Sequence, residues 1–338
     1  MEPTRPTQKD IAKIIGVHRA TVSLAFKNHP SIPQVTKDKI LACAKKLGYA
    51  PDPMLSSLAV YRSRNRPKAF HGTLAWITYE VPGQGTPWRQ VAIFLDYFKG
   101  AAQRAEAHGF RVECFDLHES KLSWKRMASI LLARNIQGIL LPPHTQPNFT
   151  ISDFPWERFS AVTFGYSLVK PQLHLVSSTQ FRAMVQTMRQ VKALGYKRIG
   201  FFFFSSHDEK TDHNYLAGYC VETFETANPI PPLFNPESFK PWFDKYRPEV
   251  IVTGNSNLVA FLQPLGIKVP ADVGVACPVV PERNGTLTGI FEDSFHIGEV
   301  AMDFLVAMIH RGERGIPAQP QRLLLEGIWN PGKTVRPK

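Results

Sequence analysis

Basic and polar side chains in residues 7–28, TQKDIAKIIGVHRATVSLAFKN, alternate with apolar ones at the spacing of two short helices. The apolar positions that would form a small core are Ile11, Ala12, Ile15, Val22, Ala25 and Phe26. Gly16 is expected to end the first helix because glycine readily takes a positive φ. Two short helices joined by such a turn are typical of a helix-turn-helix, whose second helix enters the major groove of DNA.

The side chains expected to contact DNA lie at the start of the first helix and along the second. They are Thr7, His18, Arg19, Ala20, Thr21, Ser23, Leu24 and Lys27. Thr7 is also expected to cap the first helix. Arg19, Ala20 and Leu24 are expected at base edges, and Leu24 there reads only apolar features such as a thymine methyl group. Arg19 either holds guanine bidentately or contacts a phosphate, and both interpretations remain open.

A third helix is predicted from about Pro33 to Leu47. Its apolar stripe consists of Ile40, Ala44 and Leu47, and its lysines are expected on the outside. Those lysines are Lys37, Lys39, Lys45 and Lys46.

The positive charge is concentrated near the N-terminus. Residues 1–70 contain 13 Lys and Arg against 4 Asp and Glu, a net charge of +9. The other 268 residues contain 27 against 24, a net charge of +3. This distribution favours a DNA-binding head on a separate globular body over a solubilising tail, because tails lack ordered apolar spacing.

Residues 7–28, together with VTKDKILACAKKLGYAPDP, resemble the LacI/GalR family of bacterial transcription regulators. The matching positions are Asp10, Ile11, Ala12, Gly16, Val17, Thr21, Val22, Ser23, Thr36, Leu47, Gly48, Tyr49 and Pro51. His18, Leu24, Lys27 and Pro33 depart from the residues usual in that family. These departures leave the implied fold intact and indicate a different operator sequence.

The resemblance also implies a hinge helix after Tyr49, which orders when the dimer binds DNA. Alignment from Pro51 makes Leu58 the residue that wedges into the minor groove at the operator centre. Such an apolar wedge partly unstacks a base step and bends the duplex. The alternative is that Leu58 packs on the body.

From Thr73 onward, strand-like and helical segments alternate along the chain, beginning with TLAWITYEV. This order predicts parallel sheets with helices on both faces, in two successive α/β lobes with a ligand cleft between them. The expected fold is therefore an N-terminal all-α helix-turn-helix head plus an α/β two-lobed body similar to periplasmic binding proteins. Its expected parts are the head, 1–50, a hinge helix and linker, 51–72, and an effector-binding and dimerisation domain, 73–338.

The resemblance implies that the cleft binds a small metabolite related to sugars. Candidate contacts at strand ends or adjoining loops are Tyr79, Phe164, Tyr166, Tyr215, Asn255 and Phe291. Ordinary core packing is an equally open interpretation for each aromatic residue. Tyr215 stands where the family has an effector-binding arginine, and Val279 stands near a usual aspartate. The loss of these charges predicts a less polar ligand or a reduced pocket.

Other sites receive less support. The segment SSHDEKTDHN contains His207, Asp208, Glu209, Asp212 and His213, but we predict a solvated loop there rather than a metal site. Cys43, Cys114, Cys220 and Cys277 are widely spaced and predicted to be free thiols.

Phosphate-binding glycine motifs, GxSxG and HExxH are absent from the sequence, which argues against an enzyme, and no cofactor or metal is expected. No signal peptide or membrane span is evident.

The sequence thus predicts a cytoplasmic, nucleoid-associated transcription regulator, whose expected effect on transcription is repression. The two heads of a homodimer would bind a near-palindromic operator. A metabolite would change the fraction of dimers that is able to bind this operator. Two alternatives remain: a regulator with a degenerate pocket and no small effector, and a metabolite-binding protein of the periplasmic type.

Overall fold

The computed structural model describes residues 6–26, 31–49, 70–79 and 87–338. The head consists of α1 (Gln8–Ile15), α2 (Arg19–Phe26) and α3 (Gln34–Lys46), in agreement with the predicted helices. Ile11, Val22 and Ile40, one from each helix, are fully buried in its core. Gly16 takes a φ of +74° at the end of α1 and so turns the chain toward α2.

Lys37 departs from the prediction that the lysines of α3 lie outside. It is only 7% exposed, although it lies in the first turn of the helix. The long methylene chain of a lysine can cover apolar surface, so the low exposure of this residue is compatible with its charge.

Strands and helices alternate through the body as predicted. The strands are β1 (Gly72–Thr78), β2 (Phe110–Asp116), β3 (Gly138–Leu141), β4 (Phe149–Thr150), β5 (Ser160–Phe164), β6 (Leu168–Lys170), β7 (His174–Ser178), β8 (Ile199–Phe201), β9 (Val250–Val252), β10 (Gly274–Val280), β11 (Thr288–Phe291), β12 (Arg322–Leu325) and β13 (Ile328–Asn330). The helices are α4 (Ala92–Ala107), α5 (Trp124–Ala133), α6 (Gln180–Ala193), α7 (Ser205–Lys210), α8 (Asn214–Thr223), α9 (Phe239–Tyr246), α10 (Leu258–Leu262) and α11 (Ser294–Arg311).

Two sheets organise the two lobes. The first lobe has a parallel sheet in the order β12-β7-β5-β3-β1-β2, and the second has a sheet in the order β13-β11-β10-β9-β8. In the second sheet only β13 runs antiparallel to its neighbour. Each sheet has an apolar cluster on both of its faces. Its strands are therefore mostly unbroken runs of apolar residues in the sequence. The predicted two-lobed α/β fold is therefore confirmed.

The lobes are not simply successive along the chain, which corrects the sequence-based order. The chain enters the second lobe after β7, returns to the first after β11, and passes from β12 back to β13 of the second. The helix α11 consequently packs on α4 and on strands of the first lobe. The carboxyl ends of β7 and β11 are thus crossing points, where residues of both lobes meet.

The contact between α4 and α11 depends on two glycines. A Cβ built on Gly298 would lie 2.1 Å from the carbonyl oxygen of Tyr97, and one on Gly100 would lie 1.9 Å from that of Phe295. Both distances are far below van der Waals contact. The two backbones approach this closely because neither position has a side chain.

Candidate functional site

The outer surface of α2 presents the residues predicted to contact DNA. His18, Arg19 and Ala20 are exposed, whereas Val22 and Ala25 are buried in the head core. Thr21, Ser23 and Leu24 are partly exposed along the rest of the helix. The amino-terminal end of α2 is therefore open to an external partner, as a helix that enters a groove must be.

His18 has a structural role that the sequence comparison did not identify. Its Nδ1 accepts a hydrogen bond from the backbone N–H of Ala20, 3.2 Å away, and so caps the start of α2. A serine hydroxyl commonly has this function. Because Nδ1 accepts, the neutral ring has its proton on Nε2, where it is an exposed donor beside Arg19.

Thr7 caps α1, as predicted. Its backbone N–H and its hydroxyl both donate to Oδ2 of Asp10, at 2.8 and 2.7 Å. These bonds lower the pKa of Asp10, with the hydroxyl of Thr7 as the largest cause. In this arrangement the hydroxyl has no proton to give to a phosphate, so a DNA contact by Thr7 stays a prediction. Lys27 and Leu58, the remaining predicted DNA contacts, lie outside the described residues.

A small cavity lies at the carboxyl ends of the first lobe's strands, with a volume of about 30 Å³. Its lining includes Tyr79 and four residues that the sequence analysis did not single out: Trp88, Trp124, His144 and Phe149. The ring of His144 stacks on that of Phe149, with 3.7 Å between their centroids. This space accommodates water and is much smaller than a sugar, so a metabolite requires the lining to move.

Two of the predicted effector contacts are core residues in this structure. Phe164 is fully buried and stacks on Tyr97, with 5.0 Å between the ring centroids. Tyr215 is 1% exposed and lies on α8, not at a strand end as predicted. For both residues, packing is the interpretation that agrees with their position.

The other three predicted contacts are dispersed. Tyr166 follows β5, and the guanidinium of Arg322 lies 5.3 Å from its ring centroid. Asn255 follows β9, where its Oδ1 accepts the backbone N–H of Asn257 in a local turn. Phe291 ends β11 and is partly buried. Whether a ligand contacts any of the six stays a prediction.

A buried carboxyl group at the crossing point after β11 was missed by the sequence analysis. Glu292 is 5% exposed, and the hydroxyl of Tyr97 donates to its Oε1 at 2.5 Å. Burial raises the pKa of Glu292, while nearby hydroxyls, including that of Ser178, oppose this. Ser178 lies at the other crossing point, after β7, so the polar cluster joins the two lobes where the chain passes between them.

The segment SSHDEKTDHN is not the solvated loop that we predicted. Residues Ser205–Lys210 form α7, and Asp208 is 2% exposed with its Oδ2 2.6 Å from Nδ1 of His213. Helix formation places Asp208 on the inner face, and His213 turns back to pair with it. In the described ranges, no three His, Cys, Asp or Glu side chains are arranged to hold a metal ion.

His207, also on α7, is packed into the wall of the second lobe. A Cβ on Gly254 would lie 2.4 Å from its ring, so any larger residue there would have to displace the imidazole. Burial lowers the pKa of His207 to about 4, and the charge of Lys210 contributes to this. The imidazole is therefore neutral at ordinary pH. The sequence around His207 is rich in charged and polar residues, so it gave no indication that this side chain is packed inside the lobe.

All four cysteines are free thiols, as predicted. None of the described helices is long and apolar enough to span a membrane.

Comparison with known proteins agrees with this architecture. Residues 7–52 match the model of the bacterial regulatory proteins of the lacI family. The NTD biosynthesis operon regulator NtdR of Bacillus subtilis is 24% identical over 80% of this chain and 81% of its own length. The transcriptional repressor CytR of Escherichia coli is 23% identical over 90% of both chains.

Solved structures show the same fold over the whole length. The transcriptional regulator CelR in complex with cellobiose has a TM-score of 0.56 at 18% identity, covering 96% of this chain and 98% of CelR. The lac repressor dimer bound to operator and the anti-inducer ONPF has a TM-score of 0.55 at 17% identity, covering 98% and 99%. These relatives are transcription regulators; the head of this chain matches the lacI family model, and its two-lobed body has the fold of the solved regulators.

Proposed function

We propose that this protein is a sequence-specific transcription regulator that binds a near-palindromic operator as a homodimer. The observation that carries the proposal is the capped, outward-facing amino-terminal end of α2, with Arg19 and Ala20 exposed and Leu24 one turn later. The basic head supports it, because phosphate contacts by Lys and Arg supply much of the affinity for DNA. Repression in the cytoplasm is the expected mode, supported by the repressors among its relatives.

The homodimer follows from the symmetry of such sites. A two-fold operator presents two equal half-sites, and a two-fold protein dimer matches them. The lac repressor was solved as a dimer on its operator, which supports the same arrangement here. In this proposal, Leu58 of each copy enters the minor groove between the half-sites.

Selection from a random pool of duplex DNA tests the proposal. The full-length protein is expected to enrich a palindrome, and failure to enrich any site would overturn the proposal. The Arg19→Lys and Arg19→Ala variants then separate the two possible roles of Arg19. If Arg19 reads guanine, lysine relaxes the preference at one base pair by about 1–3 kcal/mol. If it contacts a phosphate, lysine largely preserves binding and alanine weakens it equally on all sequences.

We further propose that a small, sugar-related metabolite binds between the lobes, with the cavity at the carboxyl ends of the first lobe's strands as the first-lobe part of its site. The cellobiose complex of CelR supports this ligand class. Because the cavity measures about 30 Å³, binding there has to move the aromatic lining. A ligand that binds one arrangement of the lobes more tightly then changes the fraction of the protein that is able to bind DNA.

A regulator without an effector is the second candidate, favoured by the burial of Phe164 and Tyr215 at expected contact positions. Thermal-shift screening separates the two, because a ligand that binds only the folded state raises the melting temperature. Stabilisation by at least one sugar-related compound supports the effector, and a uniformly negative screen supports the second candidate.

A further inference from the structure

The helix α8 has apolar residues on two opposite faces. Its inner face, with Tyr215, Gly218 and Tyr219, is buried against α6 and the second sheet. Its outer face has a stripe of exposed residues at the spacing of successive helical turns, which consists of Ala217, Cys220, Val221 and Phe224. Val221 is 58% exposed and Phe224 is 86% exposed. Phe224 directly follows the helix and keeps helical backbone angles, so it continues this outer stripe.

This pattern differs from that of an ordinary surface helix. Such a helix has one apolar stripe and an opposite polar face, whereas a helix with apolar residues all round is usually covered on all sides. The neighbouring helix α6 does present charges to solvent: its outer positions include Arg182, Arg189 and Lys192, each paired with a carboxylate. The outer stripe of α8 therefore has the composition of a covered surface, although no element in the described ranges covers it.

The outer stripe carries no charge that a partner would have to desolvate. The nearby Glu222 is only 10% exposed at its side chain, because it pairs with Arg189 and Lys192 of α6 at 2.8 and 3.0 Å. A second molecule that approaches α8 thus meets an apolar surface whose neighbouring carboxylate is already neutralised, and binding there incurs no cost for an unpaired charge.

The position of α8 leaves it accessible in a protein that is bound to DNA. The chain enters the first lobe at the amino end of β1 and passes to the second lobe from the carboxyl end of β7, in the same parallel sheet. The second lobe thus lies at the end of the first that is remote from the entry of the head. Within the second lobe, α8 packs on the face of the sheet opposite to α9 and α10.

The outer stripe is complementary to itself. An antiparallel pair of these helices, with its two-fold axis between Cys220 and Val221, places Ala217 opposite Phe224 of the second copy and Cys220 opposite Val221 of the second copy. The smallest side chain thus faces the largest on both sides of the axis, as helices that interdigitate require. In a two-fold contact the same patch serves both molecules, so a single self-complementary stripe is sufficient.

We infer that the outer stripe of α8 binds the same stripe of a second copy of this chain, in an antiparallel helix pair separate from the contact that holds the operator dimer. Stable interfaces bury about 800 Å² on each partner, and four side chains at one helix crossing bury less. The contact is therefore weak, and it joins two dimers into a tetramer as the protein concentration rises. This inference goes beyond the proposed function and involves neither the effector nor the heads.

Sedimentation equilibrium of the full-length protein over a wide range of concentrations tests the contact. We expect the wild type to pass from dimer to tetramer. Val221→Glu should weaken this step at least about 10-fold, because the interface loses two buried valines and gains two like charges beside the axis. Ile316→Glu is the matched control, since Ile316 is 55% exposed and lies before β12, away from α8.

A charge swap tests the antiparallel register. Cys220→Lys alone also places two like charges at the axis and should weaken the tetramer. In the double variant, Cys220→Lys with Val221→Glu, each new cation faces a new anion of the second copy, so association should recover in part. Adjacent positions on one helix do not face each other, so this recovery cannot arise within one molecule. Unspecific apolar association would instead be weakest in the double variant.

Cys220 also reports the contact directly, because it is the only exposed cysteine of the four. A short bismaleimide is expected to join two wild-type copies through Cys220 at the concentrations that give tetramers. Cys220→Ser should abolish this product, whereas Cys43→Ser should retain it.

The inference is overturned if the wild type never exceeds a dimer, if Val221→Glu assembles like the wild type, or if the double variant is weaker than both single variants. Operator binding by dilute Val221→Glu, followed by fluorescence anisotropy, should equal that of the wild type. Joint loss of the dimer and of operator binding would assign the outer stripe to the operator dimer and refute a separate contact. A wild type that selects no DNA sequence but assembles through α8 would refute the regulator and leave this inference.

Discussion

The hydroxyl of Tyr97 on α4 donates a 2.5 Å hydrogen bond to Oε1 of Glu292, a residue 195 positions later in the chain. Tyr97 belongs to the first lobe, and Glu292 lies where the chain leaves the sheet of the second. Both side chains are buried. This bond therefore ties the two lobes together at a crossing point, where any change in their relative orientation would act on it.

The Tyr97→Phe variant removes one partner of that bond. Glu292 then remains buried with one hydrogen bond fewer, which is expected to cost about 1–3 kcal/mol in the free energy of unfolding. Urea denaturation followed by circular dichroism measures the change. Tyr246→Phe, a change at a half-buried ring, is the control and should have a small effect. Equal stabilities of Tyr97→Phe and wild type would contradict a structural role for the bond.

Glu292→Gln is expected to alter how stability depends on pH. Burial raises the pKa of Glu292 above its ordinary value of 4.5, so the folded protein keeps a proton that the unfolded chain loses. Stability from this group is fully present below pH 4.5 and declines as pH rises through the raised pKa. Glutamine removes the titration.

The melting temperature of Glu292→Gln relative to wild type should therefore increase from pH 5 to pH 8, as measured by calorimetry. The Glu225→Gln variant, a change at an exposed glutamate, is the matched control. A difference that does not change with pH in Glu292→Gln would show that this carboxyl group titrates normally.

Gly298→Ala tests the close approach of α4 and α11. The added methyl group would overlap the carbonyl oxygen of Tyr97, at 2.1 Å, and the helices would have to separate. Overpacking of this kind typically costs about 1–3 kcal/mol. Chemical denaturation of the full chain measures it. A variant as stable as wild type would mean that the helices separate at no cost.

Variants at His18 separate its role in helix capping from a contact with DNA. Alanine removes the acceptor for the N–H of Ala20 and is expected to destabilise α2 by about 1 kcal/mol, whereas serine provides another cap. Serine lacks the exposed Nε2–H of the imidazole. His18→Ser should therefore retain the stability of the head. If His18 also contacts DNA, His18→Ser weakens binding in a fluorescence-anisotropy titration; unchanged binding would limit His18 to capping.

Leu58→Ala tests the expected minor-groove wedge. Alanine is too small to unstack a base step, so binding to the selected operator should fall much more than binding to unrelated duplex. Competition titrations with both kinds of DNA measure the ratio. Equal losses on the two would argue that Leu58 packs on the body instead.

Local features of the sequence were sufficient to predict the head. Apolar spacing and capping residues act within about one helical turn, so Ile11, Gly16 and Val22 indicated the helices and the turn before any tertiary contact was known. Alternation of strand and helix likewise predicted an α/β body with two sheets. The matching positions of the head indicated the resemblance to LacI/GalR regulators, because many residues at fixed offsets are a specific signal; the same head matches the lacI family model.

Tertiary structure alone decided which residues of the body meet. Tyr97 and Glu292 meet because the chain recrosses between the sheets, a pairing that does not follow from spacing along the chain. Burial was also decided at this level: Lys37 and Asp208 appear in charge-rich segments, yet packing against other elements covers both. The physical reason is that desolvation and pairing of charges depend on all surrounding elements, whereas helix and strand periodicity depends on near neighbours.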